Sequence, residues 1–161
     1  MATASQVIGA SHLGYLLQDT ERMLAIWDAM TGFTMEHGLK PISGHFPYDR
    51  WKSEPEKVLA EAQAIGLQYA GCAWITHQAP FSEAAARDAI AVFNKAGDLG
   101  AKLGIKFFYH AHGFEFHKHG DSTLMDLLMK ETDPKHVSFE MDVLWVVFPG
   151  QDPCATSPNR H

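Results

Sequence analysis

A short strand-like segment followed by an amphipathic helical one, repeated at steps of about thirty residues, constrains this chain more than any other feature. The short segments begin near positions 41, 69, 106 and 137. The first runs from Pro41 to Phe46 and is closed by Pro47. The second, Tyr69 to Ile75, is nearly all apolar, as expected of a strand covered on both faces. The third, 106–112, is rich in aromatic residues and ends at Gly113; the fourth, 137–143, alternates polar and apolar residues. Helical patterns lie between them. Ser53, Pro55 and Glu56 predict a capping box, with Val58, Leu59, Ala62 and Ile65 as the buried stripe and Gly66 as the stop. Ser82 predicts the cap of a long helix carrying Ala86, Ala89, Ile90, Phe93 and Leu103 near one face. The Ala and Gly residues of that helix suit a close approach to a sheet. Leu124, Leu127 and Leu128 form a third stripe, which Thr132-Asp133-Pro134 breaks.

Strand, helix, strand, helix without an obvious hairpin predicts a parallel sheet. A (β/α)8 barrel of about 250 residues has the same step. A doubly wound open sheet competes, but the chain has no GxGxxG and no phosphate loop. Upstream, Met23, Ile26, Trp27, Met30 and Phe33 recur at helical steps, with Asp19 or Thr20 as cap and Gly38 as stop. A weak strand between Val7 and Leu17, near His12, would precede that helix. The expected fold is therefore α/β: a partial (β/α)8 barrel of about five βα units, in one domain over 1–153 with an irregular tail over 154–161.

Composition excludes several classes of function. The net charge of −6 argues against a nucleic-acid surface, which usually carries a basic excess. Cys72 and Cys154 form no CxxC pair, so no disulfide framework is expected and a reducing compartment is. No Lys or Arg precedes Arg22, and no apolar run approaches the roughly 18 residues of a membrane helix. The expected location is the cytoplasm.

The chemistry concentrates in Phe107 to Phe116. Side chains alternate along a strand, so Phe108, His110 and His112 share one face and Phe107, Tyr109 and Ala111 the other. Ser138, Glu140 and Asp142 likewise share a face of the fourth strand. In a barrel, inward residues at the C-terminal strand ends build the site. His45, Trp74, His110, His112, Glu140 and Asp142 all fall at or near such ends. Imidazoles beside carboxylates suit metal binding or proton transfer. His117 and His119 also read as a solvated, histidine-rich loop, and Cys72 as core packing.

The run Tyr109-His110-Ala111-His112-Gly113-Phe114-Glu115-Phe116 resembles the YHNHxxEF motif of the sugar phosphate isomerase/epimerase family, which has a xylose isomerase-like barrel. Thr132-Asp133-Pro134 with Phe139 to Val146 resembles its TDP…ELDxxWV segment, and Pro149 to Pro153 its GxDP turn. Ser43-Gly44-His45 is similar to an earlier strand-end histidine of that barrel. The resemblance implies a sugar or sugar phosphate as substrate and proton transfer next to its carbonyl through an enediolate. It also implies a divalent metal, with Mn²⁺ the first candidate ahead of Mg²⁺, Co²⁺ or Zn²⁺. It makes Asp142 the best metal ligand. His110, His112 and Glu115 become candidates for metal or substrate hydroxyls and for catalysis, and His45, Trp74 and Trp145 for substrate contact. Glu140 would orient the site from behind the ligands. The family barrel runs on past the GxDP turn to another histidine and carboxylate, so the resemblance implies a C-terminally truncated member with an incomplete ligand set. A non-catalytic remnant, acting as a carbohydrate-binding or assembly module, is the alternative. A DNA-repair endonuclease of the same barrel is disfavoured by the acidic balance. Uncovered sheet edges in such a fragment would favour self-association.

Overall fold

The computed structural model describes residues 40–156. The expected helix over 20–38, the weak strand before it, His12 and residues 157–161 lie outside the described residues. In chain order the elements are β1 (Ser43–His45), α1 (Tyr48–Ser53), α2 (Pro55–Ile65), β2 (Tyr69–Cys72), α3 (Glu83–Lys102) and β3 (Lys106–His110). A 3₁₀ turn (Phe114–Phe116) follows, then the short strands β4 (Lys118–His119) and β5 (Ser122–Thr123). The order closes with α4 (Leu124–Glu131), β6 (Val137–Glu140), α5 (Val143–Val147) and α6 (Pro153–Thr156).

Four strands form one parallel sheet in the order β1-β2-β3-β6. Each main strand is laid beside the one before it, with no reversal of direction across the sheet. A doubly wound sheet would reverse at a switch point; this succession is that of a barrel wall. The register places His45 beside Gly71, Gly71 beside Phe108 and His110 beside Glu140. His45, Phe108, His110 and Glu140 share the face away from the helices, since the alternate residues Phe107 and Tyr109 pack on Phe93.

The other face is the core. Ser82 caps α3 by accepting the Ala85 N–H, as expected, and Ala86, Ala89, Phe93, Ala96 and Gly97 are buried along the helix. Phe93 lies 5.2 Å from the Phe107 ring and 4.8 Å from that of Tyr109, so β3 presents its apolar side to α3. Trp51 on α1 packs edge-on to Phe107 and donates its indole N–H to the Gly71 carbonyl. Gly66 ends α2 in the left-handed conformation that glycine adopts freely.

Several local expectations are corrected. The N-cap of α2 is Glu54 without a side-chain cap bond; the Ser53 hydroxyl is drawn back to the Asp49 carbonyl by α1, a helix that periodicity did not reveal. The strands stop sooner than expected, β2 at Cys72 and β6 at Glu140, because the polypeptide turns once ladder partners run out. Cys72 and Trp74 therefore do not share a side: Cys72 is buried in the core, whereas Trp74 is exposed. Asp142 is not a strand residue but the N-cap of α5, accepting the Leu144 N–H. A two-stranded antiparallel hairpin, β4-β5, occupies the expected loop around Gly120. Residues 154–156, expected to be irregular, fall within α6. Among the described residues no helix is long and apolar enough to cross a membrane.

Candidate active site

The site sits at the C-terminal ends of the four parallel strands. Pro47 ends β1 just past His45, which leaves the imidazole at the rim. Its Nε2 lies 2.9 Å from a Glu140 carboxylate oxygen, and His110 Nδ1 lies 3.1 Å from the same oxygen. His45 and Glu140 stand on the first and last strands of the sheet. Three strand spacings of ~4.8 Å would hold them about 14 Å apart on a flat sheet. The hydrogen bond between them requires a wall that curls inward, as a barrel wall does.

Below this trio, the Phe108 ring packs 5.0 Å from His45 and fills the space over Gly71, where an added Cβ would run into it. Phe108 thus makes an apolar floor. The hydrogen bonds from His110 and then His45 hold the Glu140 carboxyl down at about 2, so it is ionised at neutral pH. Asp142, at the start of α5, brings a second carboxylate to 3.9 Å from His110 Nε2.

His112 stands above His110, with ring centroids 4.6 Å apart, and its Nδ1 lies 3.3 Å from the His110 carbonyl. Burial, reinforced by the neighbouring His110, pushes its imidazole down to about 4. At neutral pH that ring is uncharged and only weakly basic. Trp74 and Trp145 flank it at 5.6 Å and 5.3 Å. His77 and Phe114 extend this aromatic wall, 4.4 Å apart, with Trp74 stacked on His77 at an interplanar angle of 27°. Neither His77 nor Phe114 was singled out by sequence; both lie beyond strand ends, where alternation gives no direction. The adjacency of Trp74 and His77 in the Ala-Trp-Ile-Thr-His run was the available signal.

The fold thus brings His45, His110, Glu140, Asp142, His112, Trp74 and Trp145 to one mouth. It does not bring Glu115 there. That side chain is fully buried beneath the turn, where it accepts the Tyr109 hydroxyl and the His112 backbone N–H. His117 and His119 are exposed on the β4-β5 hairpin side, His119 lying 3.4 Å from Glu83. One ligand atom each from His45, His110 and Glu140 lies within 4.8 Å of the others. Two imidazoles and an ionised carboxylate at that spacing form a donor set of the kind divalent cations take.

No family model matches the chain. Its structural neighbours include sugar phosphate isomerase/epimerases of the xylose isomerase-like barrel fold. One from Parabacteroides distasonis ATCC 8503 superposes with a TM-score of 0.66 at 27% identity, over 80% of this chain and 56% of its own. The IolI protein, solved with a bound zinc atom, superposes with a TM-score of 0.57 at 14% identity, over 86% of this chain and 51% of its own. An inosose dehydratase of Geobacillus thermodenitrificans (strain NG80-2) is 40% identical over 62 residues, 37% of this chain and 19% of that protein. The chain spans about half the length of the solved structures it matches, 51% and 56% for two from Parabacteroides distasonis ATCC 8503. The parallel α/β wall is accordingly a partial barrel.

Proposed function

We propose that this chain contributes the histidine- and carboxylate-bearing wall of a metal-dependent sugar isomerase or epimerase site. The observation that carries the reading is the Glu140 carboxylate held between two imidazoles from different strands, beside a second carboxylate and under an aromatic wall. Glu140, His110 and His45 would hold a divalent cation, with Asp142 close enough to join them. Mn²⁺ remains the first candidate for mixed carboxylate and imidazole donors, and the zinc bound by IolI keeps Zn²⁺ beside it. Such a cation would polarise a sugar carbonyl and acidify the neighbouring C–H. Each imidazole would present a lone-pair nitrogen to the cation, so protons compete with the metal for these ligands and binding is expected to weaken as pH falls.

His112 is the candidate for moving the proton by its position at the mouth, and its low basicity has to be offset by the bound substrate and cation. It is neutral at working pH and half-buried, with its Nδ1 directed to the His110 carbonyl and Nε2 left for substrate. Trp74 and Trp145 offer flat apolar faces for the C–H side of a sugar ring, while His45 and Asp142 also serve as partners for hydroxyls. The similarity to sugar phosphate isomerase/epimerases and to an inosose dehydratase supports a polyhydroxylated carbonyl compound as substrate.

Isothermal titration with Mn²⁺ and Zn²⁺ tests the ligand set. Wild type should bind one equivalent weakly, and Glu140→Gln and Asp142→Ala should each bind about tenfold or more weakly still. Deuterium incorporation next to the carbonyl of candidate ketoses in D₂O, with and without added Mn²⁺, tests the proton step. Metal binding unchanged by both substitutions, together with no exchange in wild type, would overturn the reading.

A further inference from the structure

We infer that Glu115 is the positioning residue of this site: it acts through the turn that carries His112 and not as a ligand or a proton donor. The inference rests on the site proposed above, and its evidence is geometric. Glu115 follows Gly113, whose φ of 99° starts a 3₁₀ turn that folds the chain back under the end of β3. The carboxylate then points into the protein, at 0% exposure. Both of its oxygens lie 3.1 Å from the His112 amide nitrogen, and one also accepts the Tyr109 hydroxyl. The amides of Gly113 and Glu115 itself draw on it as well.

A buried carboxylate is unfavourable unless donors surround it. Here they are all dipoles of the turn and of β3, which leaves the oxygens committed and no approach for a cation. The donors also explain what the residue does. Tyr109 is packed in the core against Phe93, 4.8 Å away, so its hydroxyl is a fixed point. Glu115 ties the His112 amide to that point. His112 in turn sets its ring 4.6 Å from His110 and 5.3 Å from Trp145. The opposite side of the turn leaves little slack, since a Cβ on Gly113 would meet the Trp145 carbonyl oxygen at 3.3 Å. Glutamine has the same shape but would set an NH₂ against the His112 N–H, donor against donor.

The test compares Glu115→Gln with Phe116→Leu, which loosens packing in the same turn and keeps the carboxylate. Three quantities are read: amide hydrogen exchange at His112 and Gly113, the ¹⁵N ring signals of His110 and His112, and Mn²⁺ affinity. Glu115→Gln should speed exchange at those two amides at least ~10-fold relative to the sheet amides and shift the ring signals. It should also weaken Mn²⁺ binding by roughly 10- to 100-fold. Phe116→Leu should lower Tm and leave ring signals and affinity as in wild type. Wild-type exchange and ring signals in Glu115→Gln would overturn the inference, as would the same signature in Phe116→Leu. If Glu115→Gln does not fold, Tyr109→Phe removes one donor only, and it must reproduce the local signature at reduced size or the inference falls. A wild type that binds no Mn²⁺ refutes the metal reading alone, because exchange and ring signals still decide the role of Glu115.

Discussion

Replacing Gly97 by alanine sets two effects of known size against each other. Gly97 lies inside the 20-residue helix α3, where alanine is favoured over glycine by about 1 kcal/mol. On propensity alone the substitution stabilises. However, a Cβ at Gly97 would meet the His136 carbonyl oxygen at 2.7 Å and the carbonyl carbon at 3.0 Å. Both are backbone atoms just before β6, so no side-chain rotation relieves the contact and the helix or the strand must move. Overpacking of this kind costs about 1–3 kcal/mol. Against the propensity gain, the net expectation is destabilisation by about 1 kcal/mol. Urea unfolding of Gly97→Ala should show a lower midpoint at unchanged slope. Ala91→Gly, at an exposed position of the same helix, isolates the propensity effect and should lose about 1 kcal/mol. Their sum, about 2 kcal/mol, is then the steric part. Because β6 delivers Glu140 only a few residues later, Mn²⁺ affinity should fall as well. A Gly97→Ala variant stabilised by the full ~1 kcal/mol of helix propensity would refute the close helix–strand contact.

Glu140 supplies a pH prediction. Its carboxyl is lowered from the ordinary 4.5 to about 2 by its two histidine partners, so the stabilisation is complete above the unfolded value and lost as pH falls toward 2. The side chain is 47% exposed, which reduces the effect to about 1 kcal/mol or less after solvent screening. The stability gap between wild type and Glu140→Gln should shrink from pH 6 to pH 3, and a constant gap would contradict it. Burial pushes the Cys72 thiol up to about 12. A thiol reagent at pH 8 should therefore label only Cys154 in the folded chain and both cysteines in urea; native labelling at Cys72 would put it elsewhere. Val143, Leu144, Val147 and Phe148 are 52–77% exposed on or next to α5. Light scattering should show self-association at micromolar concentration that Leu144→Ser with Phe148→Ser abolishes; a monomeric wild type would refute it.

The parts of the site that lie on ladder-paired strands were legible because alternation there is obligatory. His110 and Glu140 must share a face, and the register sets them side by side. Parallel order was legible from the spacing of apolar segments. The rest sits where periodicity has stopped. Trp74 and Asp142 lie two residues past their last paired positions, and the intended face of each was an extrapolation of strand geometry into a turn. Glu115 read as a candidate for metal, substrate hydroxyls or catalysis because nothing in a one-dimensional pattern reveals that Gly113 reverses the chain and drives the side chain inward. Some misses had a signal. Thr123 and Asp126 make a reciprocal capping box at the start of α4 that the sequence displays plainly. Ser53 and Glu56 display a similar spacing without forming one, since α1 takes the serine first.

The bond between His45 and Glu140 also bears on how the chain assembles. The two residues are 95 positions apart, yet neither has to find the other through a loop of that size. Each strand pairs with its predecessor over a much shorter stretch, and each pairing carries the next rim residue into place. Loop-closure entropy is then met in three moderate steps, and the last contact closes with the ends already held. Mutations that slow the pairing of β2 with β3 should delay site formation as much as any change to the histidines themselves. The trio of His45, His110 and Glu140 becomes a completion mark for the sheet, present only in chains whose four strands have all docked in order.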